Sequence, residues 1–495
     1  MKFIVYIFLV CIVVSPVYSQ LTQLESIFPL YKVTVPTKEP QALPQILACK
    51  DQMYSFVNLT GTLEYYQGPL WKKLPKNQFI VHSYQSNLDK RILSKPFGLF
   101  RGEVVNSIVD SNGLLLLTTT AQLHHSTLPK KKKFEKALNS DSIYLTCIDP
   151  STSVRWSRAF GITNSSYIQY HSVEHKNGFH KVFFQVKDTL YLYSLLPSGL
   201  TESVKRYAIP QHHKVSFSHI SSNEELIVVT TRIWPQYEIS LEEQHFVLSY
   251  SIIQTLKWKE YVSGTRFEVF IKSFLVDTKG SVYLLGNFLN EITSAFTTVK
   301  SKGQQDIFVI KISKQGSTLG VFGIGGKEGD NFGAATLTKT NDLILSGQMY
   351  STGTVLNEVL DFNQKPFTFV SKISNDNRLI FAKVFGGYSV VHNKITEDHH
   401  KRILLVGMFK DTLTTRNGDV LISKGGNDFY LATYDEYGNF EAVQPFGSEA
   451  DESYLLNVLL IPNNSVSVLA YTTGILNAKK EREYSQVLWR FKYQR

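Results

Sequence analysis

The sequence predicts an all-β fold, a single β-propeller of four-stranded antiparallel blades, and three observations lead there. A pattern of strand, turn, strand, Phe-Gly, strand, polar turn, strand and Gly recurs along the chain; it is clearest from Asp306, Phe367 and Asp428 and fainter from Gln78 and Asp141. Its Phe-Gly landmark, or an equivalent, falls at Phe97, Phe160, Tyr207, Val262, Ile324, Phe385 and Phe446, and the last three intervals are 62, 61 and 61 residues. The runs between turns are short stretches of Val, Ile, Phe, Tyr and Leu, punctuated by Gly, Asn, Asp and Lys, with no amphipathic helical stretch among them. A repeat of four β-type runs at this period is the mark of a propeller. The 13% aromatic content suits it, because large flat side chains fill the gap between sheets stacked face to face.

Taken in order, the first element is a secretory signal. Lys2 supplies the positive end, 3–14 are almost wholly apolar, and Val17-Tyr18-Ser19 places small residues where cleavage after Ser19 needs them. The apolar run is short of the ~20 residues of a membrane-spanning helix. No later stretch is longer than a strand, and the C-terminus is polar and basic. The expectation is a secreted, extracellular protein with no stable membrane insertion. Residues 20–50 read as an N-terminal extension and 51–495 as the propeller. At 495 residues two or three domains would be ordinary, but the repeat runs on without a Pro- or Ser-rich linker, so one domain is expected.

Lettering the strands of a blade A to D from the axis outward, the hairpin after Phe-Gly is A and B. The chain then ends on a lone C strand from Gln486, so the last blade lacks its D strand. A strand from the N-terminal extension, Leu30 to Pro36, is expected to supply it and close the ring, which removes an open sheet edge. Residues 51–67 read as the A–B hairpin of a first blade, giving eight blades; without it there are seven. The tetrapeptides Asp110 to Gly113 and Asp277 to Gly280 are turn sequences with Gly where positive φ is needed.

The long insertions all fall between strands B and C, at 121–140, 288–305, 348–366, 409–427 and 473–484. In blade geometry these emerge on one face, beside the D–A connections. Insertions gathered on one face mark the binding face of a repeat protein. The first carries Lys130, Lys131, Lys132 and Lys133, a run suited to a sulfated glycan or an acidic protein, or simply to a solvated loop. His124 and His125 precede it. A second pair, His212-His213, sits in a D–A connection on the same face, and a third, His399-His400, in a turn on the opposite one. Adjacent histidines lack the i, i+4 spacing of a zinc helix, so no metal site is expected. Asp330 and Asp451 occupy matching acidic turns before strand A. Calcium can bind such turns, yet an Asp there more often bonds its own turn backbone, so no cofactor is expected.

Asn58, Asn164 and Asn463 begin Asn-x-Ser/Thr sequons in polar turns, where a glycan would project into solvent. Of three cysteines, Cys11 leaves with the signal. Cys49 and Cys147 either form one bridge or remain as buried thiols. The 52 basic and 42 acidic residues give a net charge of +10, and loss of Lys2 leaves +9. That aids solubility and weak attraction to anionic surfaces, but with a secretory signal it does not imply nucleic acid. Motifs of hydrolases, zinc proteases and P-loop enzymes are absent. Trp156 and Trp258 lack the preceding Thr-Gly that quinone-binding propellers repeat.

Lys311-Ile312-Ser313, Gly316, Gly325-Gly326, Asp330 and Gly347 follow one another in a set order, as do Lys372-Ile373-Ser374, Gly386-Gly387 and Gly407. In this the repeat resembles the bacterial-type β-propeller repeat, often called the SBBP repeat. The match is good over 270–475 and faint before it, with Ser in place of the family's Asp after Lys-Ile. The resemblance implies a propeller in an extracellular or surface setting and no catalytic residues. The expected function is therefore a secreted, non-enzymatic binding scaffold for an extracellular glycan or protein, acting through the face of long loops. A carbohydrate-active enzyme with its site at the channel mouth and a structural surface-coat component are the alternatives. The ligand and the oligomeric state are not legible.

Overall fold

The computed structural model describes side chains over 178–447 apart from 222, 234–244, 265–267, 364–365, 388–393 and 416, over 144–149 and 153–160, and for Leu114 and Leu116; elsewhere it describes strand backbones between Leu21 and Tyr493. Within this range every regular element is a β-strand and every ladder between strands is antiparallel. This is the all-β fold that the alternating apolar runs predict.

Seven sheets follow one another along the chain. Gln45–Cys49, Gln52–Val57 and Ile80–Gln85 form the first. Four-stranded sheets follow over 104–160 and 168–208, then two sheets whose four main strands span 213–265 and 269–326. Over 331–446 a seven-stranded sheet contains two four-stranded units, because Leu379–Glu397 pairs first with Phe367–Ile373 and then with Ile403–Thr414. The strands of 451–493 come last. Counted this way there are eight consecutive units. The first strands of units one to four lie against one another in series, as do those of units five to eight, and the first strand of unit one touches those of both unit two and unit eight.

The chain's two ends meet in unit eight. Leu21–Val35 pairs antiparallel with Glu481–Tyr493, from Leu21 opposite Tyr493 to Val35 opposite Arg482. The segment expected to complete the last unit lies in this strand through Val35. The expected 51–67 hairpin is corrected. Gln52–Val57 pairs instead with Gln45–Cys49, from Cys49 opposite Gln52 to Gln45 opposite Phe56. Thr62–Gln67 pairs with Leu70–Leu74, and this second hairpin attaches to Leu21–Val35.

The middle strands of units five and six, Val282–Phe288, Asp306–Ile312, Leu343–Met349 and Phe367–Ile373, are largely apolar runs because both their faces are buried. Phe308, Ile310 and Ile312 pack toward unit four with Ile227, Val229 and Val247. Ile307 and Val309, one residue out of phase, pack toward unit six with Phe332, Leu343, Phe367 and Phe369. The same alternation joins units six and seven through Ile344, Val370, Ile403 and Leu405. Each sheet is thus a wall shared by two cores.

A β-bulge recurs in the first strand of units two to eight; in units four, five and six it falls at Ser216, Lys272 and Gly333. The bulged backbone leans onto the second strand, and that explains the glycine in the second strand of units five and six. A Cβ on Gly286 would lie 1.8 Å from the Phe270 carbonyl oxygen, and one on Gly347 would lie 2.7 Å from that of Asn331.

Neighbouring units are pinned at the turn between the third and fourth strands. The Trp156 indole N–H donates to Pro197 O (2.8 Å) and that of Trp258 to Lys314 O (2.8 Å), each reaching into the next unit. Each indole lies on a turn glycine, Gly199 (φ 86°) or Gly316 (φ 91°); Phe381 lies on Gly438 (φ 82°) in the same way. Where the outer strand carries a small residue the turn supplies the bulk. Asn377 (φ 61°) covers Gly320 and donates to Leu319 O (3.1 Å), and Gln254 (φ 68°) accepts from the Arg206 amide (2.8 Å). Large and small therefore alternate around these junctions. The recurring lysine adds a second pin: buried Lys311 donates to the backbone and side-chain oxygens of Asn375 in the turn of unit six.

Candidate binding face

The insertions expected as long loops are β-hairpins wherever they are described, which corrects the loop reading. Glu291–Ser294 pairs with Thr297–Lys300, Gly353–Val355 with Glu358–Leu360, and Thr412–Thr414 with 420–422. The first two turn on two residues, with Ala295 and Leu356 held at φ 51°; such tight turns match the strand twist at the cost of a strained residue. Alternating Thr, Val, Leu and Ile make these stretches strand-formers rather than loops.

Each hairpin leaves its own unit and extends the preceding one. Ser294 pairs with Val262, Gly353 with Gly326, and Thr414 with Gly386. Thr62–Tyr65 stretches the same relation across the chain ends, where the hairpin of unit one pairs with Thr34–Tyr31 of unit eight.

Buried aspartates fix the hairpin bases. Asp306 accepts the Lys302 amide (2.8 Å) and Asp428 the Lys424 amide (2.8 Å), each four residues back at the hairpin's exit. Asp330 accepts from the Gly326 amide (2.6 Å) with one oxygen and from the Tyr350 amide (3.1 Å) with the other. A Cβ on Gly325 would press on both Asp306 (2.3 Å) and Asp330 (2.6 Å), so this glycine makes room for two carboxylates. Burial pushes Asp330 up to about 6, against the pull of its two amides and with the Asp306 charge adding to the rise; burial raises Asp306 too. Asp330 thus bonds its surrounding backbone, the second of the two roles the sequence left open for it. Among the described residues no three His, Cys, Asp or Glu side chains form a metal-holding group.

Unit four presents two buried histidines at the end of its sheet that bears the D–A connection. His213 lies 3.2 Å from the Thr230 hydroxyl, and His245 lies 3.0 Å from that of Thr231. Both rings are pushed down to about 4, chiefly by burial; for His213 the charges of Lys259 and Arg232 add to it. A lowered histidine contributes stability above pH 6.5 that is lost as pH falls toward 4, roughly 3 kcal/mol for each ring. The raised Asp330 opposes it, because its contribution is full below 3.8 and is lost as pH rises through 6. Urea midpoints at pH 7 and pH 5 should show the wild type weakened at pH 5. His245→Gln should flatten that loss, and Asp330→Asn should steepen it.

The outer strands of the hairpins carry exposed apolar side chains. Phe296 at the first tip is fully exposed, and Val359 (64%), Val420 (55%) and Ile422 (71%) stand out from the others. The charges around them are mixed, with Glu291, Lys300, Glu358 and Lys410 all exposed, so the face has no single sign. Sequence reading missed these four apolar residues, although the alternating pattern Val420, Ile422 and Lys424 signals a strand with one bare face.

The other candidates fall elsewhere. Lys130, Lys131, Lys132 and Lys133, His124 and His125, and the sequon residues Asn58, Asn164 and Asn463 lie outside the described residues. Cys147 is buried with Leu116 and Leu145, whereas the Cys49 side chain is not among those described. The rings of His399 and His400 lie 4.4 Å apart, tilted by 46°, in the turn that Asp398 caps by accepting from the His400 amide (2.8 Å). Trp156 and Trp258 have the pinning role described above.

No protein family and no curated protein matches the sequence. Among solved structures the chain is similar to puromycin hydrolase, at 8% identity over 88% of this chain and 59% of that one, with a TM-score of 0.41. It is similar to prolyl oligopeptidase B from Galerina marginata, at 9% identity over 92% of this chain and 56% of that one, TM-score 0.41. A protein from Bacteroides caccae matches at 8% identity over 62% of this chain and 91% of its own, TM-score 0.28. The chain thus spans little more than half the length of the two hydrolases. A likeness at this level identifies neither fold nor activity.

Proposed function

We propose that this chain is a secreted eight-bladed β-propeller that serves as a binding scaffold, holding an extracellular protein partner on its hairpin face. Three features support eight blades: eight consecutive units, contact of the first unit's inner strand with units two and eight, and a hairpin of unit one on unit eight like those joining consecutive units. The signal-like first nineteen residues support secretion.

The observation that carries the binding reading is the set of exposed apolar residues Phe296, Val359, Val420 and Ile422 on three consecutive hairpins with anchored bases. Bare side chains, three of the four aliphatic, on a rigid face favour a protein partner over a glycan, which would want several aromatic platforms and fixed polar groups. Residues 20–495, immobilised, should retain one extracellular protein saturably from a mixture of proteins and glycans. Changing all four residues to serine should weaken retention at least tenfold and leave the melting temperature within a degree or two, since exposed positions bear little on stability. Retention of a glycan class instead, or no retention, would sink this reading. A loss of retention at raised salt would assign a share to Lys130–Lys133.

A further inference from the structure

A second surface lies on the outer side of unit six, beside the tip of the Gly353–Leu360 hairpin. Leu379–Phe385 is the outer strand there. It pairs with Thr368–Ile373 on one side, and among the described residues no strand pairs with its other side. The hairpin of unit seven reaches only Gly386 and Gly387 beyond it. A groove of about 630 Å³ runs along this free edge, lined by Leu379, Ile380, Phe381 and Ala382, the hairpin residues Leu356 and Glu358, and Tyr437 of the next unit. A smaller cleft of about 190 Å³ continues it past Lys383 to Phe385 and Asn439. Tyr437 is 68% exposed and Ile380 44%, so apolar side chains line an open floor, with Asn357 and Asn377 adding polar groups beside them.

An unpaired strand edge is a template for another strand, and proteins normally cover or charge it. Here the edge carries cations at each end of its apolar centre, Arg378 and Lys383, both lining the groove and neither in an ion pair among the described residues. Five residues of strand separate them by about 17 Å. Glu358 is the one carboxylate in the lining. The site therefore offers a row of backbone donors and acceptors, an apolar floor and an excess of positive charge.

We propose that the edge of Leu379–Phe385 docks an extended acidic segment of a partner protein, which adds to unit six as a further strand. Main-chain bonds supply the affinity, the apolar floor takes alternate side chains, and carboxylates near the segment's ends meet Arg378 and Lys383. A library of random ten-residue peptides displayed on phage, panned against the full chain, tests this. The result expected is enrichment of peptides with alternating β-branched residues and Asp or Glu near both ends. The synthetic enriched peptide should bind the Arg378→Glu, Lys383→Glu double variant at least tenfold more weakly. It should also bind the Phe296→Ser variant as tightly as wild type, which separates this surface from the hairpin face. N-methylation of alternate peptide amides should abolish binding in one of the two phases and spare it in the other. Both variants change exposed or half-buried side chains, and circular dichroism confirms their fold. No enrichment, enriched peptides without acidic ends, equal binding to the double variant, or indifference to methylation in both phases would each overturn the proposal.

Discussion

Gly286→Ala should be among the most damaging single-methyl changes in this chain, costing about 3 kcal/mol or more and reducing the yield of folded protein. The added Cβ would lie 1.8 Å from the Phe270 carbonyl oxygen and 3.0 Å from the Lys272 amide nitrogen. Those are backbone atoms of a bulge, so no rotamer change relieves the overlap. The strand itself cannot retreat, because Val282 to Phe288 are all buried and pair on their other side with Asp306–Ile312. Either the bulge must flatten, which turns the side chains beyond it to the wrong face, or the ladder must open. Gly347→Ala meets the Asn331 carbonyl at 2.7 Å and the Phe369 ring, and should be milder because the ring can shift. Denaturant midpoints of the two variants check this order. Equal, small losses would mean that the bulge is soft and the recurring glycine has another cause.

Gly316→Ala should cost about 2–3 kcal/mol, for two separable reasons. At φ 91° the turn residue sits in the left-handed region, which penalises any Cβ by roughly 1 kcal/mol. The Cβ would also lie 2.7 Å from the Trp258 ring, forcing the indole off the turn and breaking its bond to Lys314 O. Trp258→Ala should itself cost about 3 kcal/mol from lost packing and that bond. Together the two changes should cost clearly less than their sum, because the alanine at 316 no longer has a ring to strike. A double-mutant cycle with a coupling near 1 kcal/mol or above supports the pin. Strict additivity would show that the indole and the turn do not act on one another.

Much of the fold was legible because its causes are local. The two-faced burial of the central strands writes itself as continuous runs such as Phe308 to Ile312, and tight turns demand glycine at Gly280, Gly316 and Gly438. Even the N-terminal strand could be inferred, since a last unit one strand short needs a partner. The hairpins were misread as loops because their turns, Ala295-Phe296 and Leu356-Asn357, carry no Gly, and their attachment to the preceding unit, about thirty residues back for Ser294 and Val262, leaves no local signal. The hairpin at Gln45–Val57 was misplaced because the Asn-Leu-Thr-Gly sequence at 58–61 is a stronger turn signal than the Lys-Asp pair at 50–51. The tryptophans were seen and not understood, because their meaning lies in a glycine about forty to sixty residues further on. The exposed apolar hairpin residues and the free edge at Leu379–Phe385 depend on what does not pack against them, which no sequence pattern states.

The pairing of Leu21–Val35 with Glu481–Tyr493 sets a waiting time. About 450 residues separate the paired segments, so at roughly 5–20 residues per second the first strand leaves the ribosome some 20–90 seconds before its partner exists. Throughout that interval this fifteen-residue apolar-rich segment lacks its main partner, and only the hairpin at Thr62–Leu74, which pairs with Tyr31–Thr34, is at hand to cover part of one edge. A strand in that state pairs readily with whatever comes near, including its counterpart on a neighbouring nascent chain. Assembly of this molecule is therefore sensitive to crowding on the polysome, and slower elongation prolongs the hazard rather than relieving it.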